Sequence, residues 1–206
     1  MKIIDLSRKL SDQTPTYPGD KPFGIERDGD YKTSGFITHI VDSSMHVSTH
    51  MDAPVHMIKG GKNMGDFSVE KFIAKGVLID ARKLIKGNEI QVPKNVRLFS
   101  GAIVLVMTGM DKRFSQKNYF SNYPALSRDF ALWLITNKVS IVGTDSCSPD
   151  FYPFRIHKML LGKNILIIEN LTNLEKLKKE KSFEVVALPI KTNLEGSWVR
   201  VVARIL

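Results

Sequence analysis

At 206 residues, 43% of them hydrophobic and 25% charged, the chain is long enough for one good core and at most two small ones, and its composition is that of an ordinary globular protein. The formal net charge of +9 would suit a nucleic acid or an acidic membrane, but lysines outnumber arginines and stand beside acids along the whole chain. The densest run, Lys176 to Lys181, carries no aromatic residue to stack on a base, so neither partner is expected and the charge is left to attract an anionic substrate.

A single cysteine, Cys147, excludes an internal disulfide framework. No apolar run approaches the roughly 18 residues of a membrane span, and Met1 to Leu6 lacks the apolar core and cleavage site of a signal peptide. A cytoplasmic protein is expected.

In chain order, residues 2–6 suit a first strand. Thr14 to Pro22 holds three prolines and a glycine, which forbid regular structure; Tyr17 and Phe23 offer apolar anchors, so an ordered loop is expected. Residues 36–41 are rich in β-branched side chains and read as a strand leading to a histidine cluster. Gly60-Gly61 makes a turn. Asp66 or Ser68 then caps a short helix bearing Val69, Phe72 and Ile73, ended by Gly76. Val77 to Ala81 and Ala102 to Met107 read as buried strands, the second apolar on both faces. Ser127 caps a helix through Asn137, and Val139 to Gly143 returns to the sheet. The polar loop Gly143 to Asp150 follows that strand, a position that carries function in layered α/β folds. A short helix around His157 to Leu161, a strand over Ile165 to Asn170 and a lysine-rich helix over 172–181 come next. Strands over 183–191 and 197–205 close the chain. With no repeat, low-complexity segment or linker, one domain over residues 1–206 is expected.

The chemistry concentrates in His46-Val47-Ser48-Thr49-His50-Met51-Asp52-Ala53-Pro54-Val55-His56, where three of the five histidines and an Asp fall within eleven residues. Neutral imidazole nitrogens and carboxylate oxygens bind divalent metals at neutral pH. His46, His50, Asp52 and His56 share parity, so an extended chain would turn them to one side. On a helix Asp52 would lie well round the cylinder, and Val47, Thr49 and Pro54 oppose a helix in any case. An extended or looped ligand segment is expected. Outside it, His157 and Glu169 stand out. Taken alone, His157 reads as a partly buried histidine and Glu169 as a strand-end carboxylate reaching water. Yet a charge beside Ile165 to Ile168 is costly unless paired or metal-bound. His39 reads as an ordinary strand residue, and Cys147 as a buried or loop thiol rather than a nucleophile.

The cluster resembles the signature His-x-Gly-Thr-His-x-Asp-x-Pro-x-His of the cyclase-like metal-dependent amidohydrolases, the family of bacterial kynurenine formamidase and isatin hydrolase. Every fixed position matches except one, where Ser48 replaces Gly. Asp5-Leu6-Ser7, the Pro15 to Pro22 loop, Gly143-Thr144-Asp145, His157 and Ile168 to Leu171 fall where members have similar stretches, so the resemblance covers nearly the whole chain. It implies an α/β fold: a swivelling β/β/α-type single domain with a mixed sheet and flanking helices, assembled as a homodimer or homotetramer. By the same resemblance His46, His50 and Asp52 hold a first metal. His157 and Glu169 complete a second site with Asp52 shared, and His56 is catalytic. The metal is usually zinc in the formamidase and manganese in isatin hydrolase.

The residue types support a hydrolase independently. A divalent metal lowers the pKa of bound water toward about 7 and so supplies hydroxide. His56 could take a proton from that water and pass it to a leaving nitrogen. Glu169 could orient His56 or bind metal. The implied substrate is a small amide with an aromatic or carboxylate part, such as N-formylkynurenine, with Tyr17, Phe23 and Phe36 as candidate pocket residues. Rival readings are a cyclic amide or lactone hydrolase or cyclase at the same site, and a metal-binding protein without catalysis. Ser48 is expected to resist a backbone angle or a close approach that Gly permits, and to perturb substrate fit rather than metal binding.

Overall fold

The computed structural model describes residues 1–206. In chain order its regular elements are β1 (Ile3–Asp5), β2 (Gly24–Gly29), β3 (Thr38–Asp42), β4 (His50–Asp52), β5 (Ile73–Asp80), β6 (Ile85–Lys86), β7 (Glu89–Ile90), β8 (Ile103–Met107), β9 (Ala125–Leu126), α1 (Arg128–Thr136), β10 (Ile141–Thr144), α2 (Arg155–Leu161), β11 (Leu166–Glu169), β12 (Phe183–Pro189) and β13 (Gly196–Ile205). The main sheet runs β1-β13-β12-β5-β8-β10-β11-β4, and β4 pairs again with β13. That last pairing closes the sheet on itself. β5, β8, β10 and β11 are mutually parallel, while β4, β12 and β13 join antiparallel, so the barrel is mixed.

The parallel strands carry two cores on opposite faces because successive side chains alternate. Ile103, Leu105, Met107, Ile141, Leu166 and Ile168 join one buried cluster with β12 and β13 residues such as Val185 and Val201. Val104, Val106, Val142 and Ile167 join another, built with Phe130 and Leu134 of α1 and Leu160 of α2. The first fills the barrel; the second seals it to the helices. The expectation that residues 102–107 are buried on both faces is met, all of β8 being inaccessible. α1 begins where expected: the Ser127 hydroxyl accepts from the Phe130 N–H at 3.2 Å. The mixed α/β architecture implied by the resemblance is found.

Three local expectations are refined, and one of them is corrected in part. The segment after Ser68 forms only a 3-10 turn, Val69–Phe72, and β5 starts at Ile73. Gly76 therefore stops no helix but lies inside β5, where a Cβ would stand 2.1 Å from the Phe183 ring. Close approach across the sheet, not helix termination, requires glycine there. The lysine-rich segment is a 3-10 helix over Leu174–Lys179, burying Leu174 and Leu177 three residues apart, the spacing of that tighter period. Finally, the strand expected over residues 36–41 is found as β3, which pairs only with β2 in a hairpin outside the barrel, with every β3 residue exposed.

Candidate metal centre

β4 is three residues long and wedged between β11 and β13. Its register sets His50 directly opposite Glu169 and Asp52 opposite Ile167. Side chains directly opposite in a ladder lie about 5 Å apart at Cβ, so two residues distant in sequence become neighbours. Only His50 and Asp52 obtain a common face from strand alternation. His46 precedes the strand in turns, and the chain enters β4 through Ser48 at φ 62°, the left-handed region. His56 follows on a 3-10 turn, Pro54–His56, with Pro54 at its first position, where a missing N–H costs nothing. The shared-parity expectation thus holds for two residues; turns bring in the other two. Thr49 and Pro54 both set shape: the Thr49 hydroxyl accepts from the Arg8 N–H at 2.9 Å and donates to the Asn170 carbonyl at 2.9 Å.

Around Asp52 the donors form two sets. His46, His50 and Asp52 offer ligand atoms all within 4.8 Å of one another, and so do Asp52, His157 and Glu169. Asp52 Oδ1 stands 2.9 Å from His46 Nδ1 and 3.3 Å from His50 Nε2, while Oδ2 faces His157 Nε2 at 3.7 Å. Glu169 mirrors this, with Oε2 3.4 Å from His50 Nε2 and Oε1 3.3 Å from His157 Nε2. Despite these short distances, His50 Nε2 and Asp52 Oδ1 are buried and make no aligned hydrogen bond. Buried polar atoms without partners are costly, and here they converge on a common space. A divalent cation fits such a donor set of imidazoles and carboxylates.

Second partners fix the histidine rings. His50 Nδ1 lies 2.9 Å from the Ser48 carbonyl, and His157 Nδ1 lies 2.5 Å from Asp150 Oδ1. Each partner is an acceptor, so Nδ1 carries the proton and Nε2 is left as the ligand atom. Asp150 also accepts from the Ile156 and His157 backbone N–H groups through Oδ2, which ties the ring to the start of α2. Sequence reasoning missed Asp150, though it closes the Gly143 to Asp150 loop already marked as functional; an acidic residue seven positions before a candidate ligand was the available signal. It also missed Arg8, whose guanidinium reaches the Asn170 and Leu171 carbonyls beside Glu169.

The electrostatics follow from burial of charge. Burial alone would lower His50, but the Asp52 and Glu169 carboxylates raise it to about 9. Burial also opposes the charged form of Asp52, yet His46 and His50 hold its carboxyl well below the usual range. Burial raises Glu169, against a hydrogen bond from His157. His56 goes the other way: burial, with His46, His157 and His50 nearby, lowers it to about 4 despite Asp52. Its ring packs 4.1 Å from that of His46, and it belongs to neither ligand set. His56 is therefore neutral at physiological pH and sits at the edge of the centre. Glu169 faces His50 and His157, the positions of a ligand. Burial pushes the Cys147 thiol up, against nucleophilic use. His39 lies exposed on β3 opposite Arg27.

A cavity of about 240 Å³ opens onto this centre, lined by His46, Asp52, His56, His157 and Glu169 together with Tyr17, Phe120 and Phe154. Of the aromatic residues expected there, only Tyr17 reaches it. Phe23 packs on Trp198 at 5.8 Å, and Phe36 is 56% exposed on the β2–β3 hairpin. Phe120 and Phe154 take their places, brought in by loops that show no period in the sequence.

A closed mixed barrel with two abutting ligand sets at its rim and a neutral histidine beside them is the arrangement of a metal-dependent hydrolase. The chain belongs to the family described as "Putative cyclase", which residues 4–151 match. It is 31% identical to an uncharacterized protein of Methanocaldococcus jannaschii, over 98% of this chain and 99% of that one. It is 30% identical to the kynurenine formamidase of Bacillus mycoides, over 98% of this chain and 96% of the relative. Among solved structures, isatin hydrolase A from Ralstonia solanacearum superposes with a TM-score of 0.86 at 25% identity, over 100% of this chain and 92% of that one.

Proposed function

We propose that this chain hydrolyses small aryl amides, of the arylformamide type such as N-formylkynurenine, with zinc as the metal. The observation that carries the reading is the placement of Asp52 between two buried ligand sets, with a non-ligand neutral histidine at their edge. His46, His50 and Asp52 would hold one ion, and Asp52, His157 and Glu169 a second. A cation so held lowers the pKa of a water toward about 7 and polarises a carbonyl. His56, uncharged above about pH 4, accepts the proton that the water loses and returns it to the leaving nitrogen. The products are then formate and a free aryl amine. The aromatic side of the cavity orients the aryl ring. Manganese is the alternative metal, and a cyclic amide such as an isatin ring the alternative substrate, the latter favoured by the likeness to isatin hydrolase.

A cytoplasmic homodimer or homotetramer completes the reading. An isolated two-stranded hairpin is marginal in water, yet the β2–β3 hairpin exposes Ile25, Phe36, Ile40 and Val41, surface that a second copy would cover.

Metal analysis of protein purified without added metal, followed by assay on arylformamides, isatin-like rings and simple lactones, tests the assignment. Zinc or manganese with arylformamide turnover is expected; a metal-free protein of full activity would refute it. His56→Ala should keep its metal and lose on the order of 10²–10⁴ in kcat. Unchanged turnover would remove His56 from catalysis.

A further inference from the structure

The basic side chains that give this protein its net charge stay off the cavity. Lys and Arg number 30 and the net charge is +9, yet no Lys or Arg lines the cavity at the metal centre. Three aromatic rings, those of Tyr17, Phe120 and Phe154, form part of its wall. Tyr17 and Phe120 meet edge to face at 5.7 Å, and Phe154 stands edge-on to His157 at 5.7 Å, so this wall starts at the ligand set itself. Apart from the ligand carboxylates Asp52 and Glu169, the one acidic residue on the lining is Asp20. A turn closed by the Asp20 N–H on the Tyr17 carbonyl at 3.0 Å holds that carboxylate and the Tyr17 ring in one short segment. Neighbouring Lys21 does not neutralise Asp20, being paired with Asp42.

A carboxylate without a salt-bridge partner, on a lining shared with aromatic rings, suits an ammonium group. The Coulomb attraction and the cation–π attraction act on the same charge. A substrate carboxylate placed beside Asp20 would meet a like charge, with no Lys or Arg on the lining to offset it. We propose, building on the hydrolytic reading above, that the preferred substrates are aryl amides carrying an ammonium arm, and that Asp20, with the rings of Tyr17 and Phe120, binds that arm and sets specificity. The anionic substrate expected from net charge is the one this cavity discriminates against.

The test uses three aryl formamides that share a 2-acyl chain and differ only at its end. N-formylkynuramine ends in an ammonium, N-formyl-2-aminopropiophenone in a methyl group, and 4-(2-formamidophenyl)-4-oxobutanoate in a carboxylate. With the metal-loaded protein, kcat/KM should fall in that order, by about two- to fivefold per step and through KM, the range of a solvent-exposed ion pair. Asp20→Asn should bring the ammonium and methyl substrates to the same value, and Asp20→Lys should reverse the order. A carboxylate substrate equal to or better than the ammonium one, or a preference that survives Asp20→Asn, overturns the proposal. Calorimetry of the amine kynuramine against the matched 2-aminopropiophenone, on wild type and Asp20→Asn, separates the two claims. Ammonium-selective binding that depends on Asp20 without turnover sinks only the hydrolytic reading. Absence of that selectivity sinks this one.

Discussion

Ser48→Gly is expected to stabilise the protein, against the rule that adding glycine weakens a fold. Ser48 stands at φ 62°, where an L side chain crowds the following carbonyl at a cost of about 1–2 kcal/mol. Its hydroxyl is buried without a protein partner, which adds a penalty of about 1 kcal/mol or more. The backbone cannot relax away from this angle freely, because the Ser48 carbonyl accepts from His50 Nδ1 at 2.9 Å and so holds a ligand ring. Against these gains, glycine frees the unfolded chain and loses about 0.5–1 kcal/mol. The net is a gain of about 1–2 kcal/mol; at roughly 2–4 °C per kcal/mol for a chain of this size, Tm should rise by about 2–8 °C. Ser48→Ala separates the contributions: it removes the hydroxyl and keeps the strained angle, so it should gain less than Gly. Thermal and urea unfolding should be compared at one protein concentration and one metal loading, since ligand binding and assembly shift apparent stability. A Ser48→Gly protein less stable than wild type, or Gly and Ala variants of equal stability, would refute the strain argument.

Asp52→Asn keeps the volume but removes the shared charge, so metal stoichiometry should fall at both positions rather than one, as read by metal analysis after dialysis. Retention of one full equivalent would show the two sets to be independent. Asp150→Ala frees His157 Nδ1 and should weaken metal affinity by about 10–100-fold in a chelator competition, with loss confined to part of the bound metal. Unaltered affinity would mean that the ring is held by α2 alone. Gly76→Ala forces a methyl against Phe183 and should cost about 1–3 kcal/mol in urea unfolding, without changing metal content.

Much of the centre is legible in the sequence because metal ligation is written in residue types and short spacings. His46, His50 and Asp52 lie close along the chain, so the meeting of their donors needs only local geometry. The strands over 102–107, 165–170, 183–191 and 197–205 were equally plain, their apolar runs or period-2 patterns matching one or two buried faces. Short segments carry weaker signals. Val69–Phe72 and Leu174–Lys179 are amphipathic over too few residues to separate a 3-10 turn from an α-helix. Gly76 looked like a stop because nothing local reveals that the Phe183 ring lies across the sheet.

By itself the sequence determined the candidate ligand types, the family pattern with its one departure at Ser48, and most of the strands that build the barrel. Closure of the barrel decided the rest. It set Glu169 opposite His50, turned Asp150 onto His157, and gathered Tyr17, Phe120 and Phe154 into one cavity wall while leaving Phe23 and Phe36 elsewhere. These contacts join residues far apart in the chain, and their register comes from packing and hydrogen bonding across strands, which no local spacing encodes.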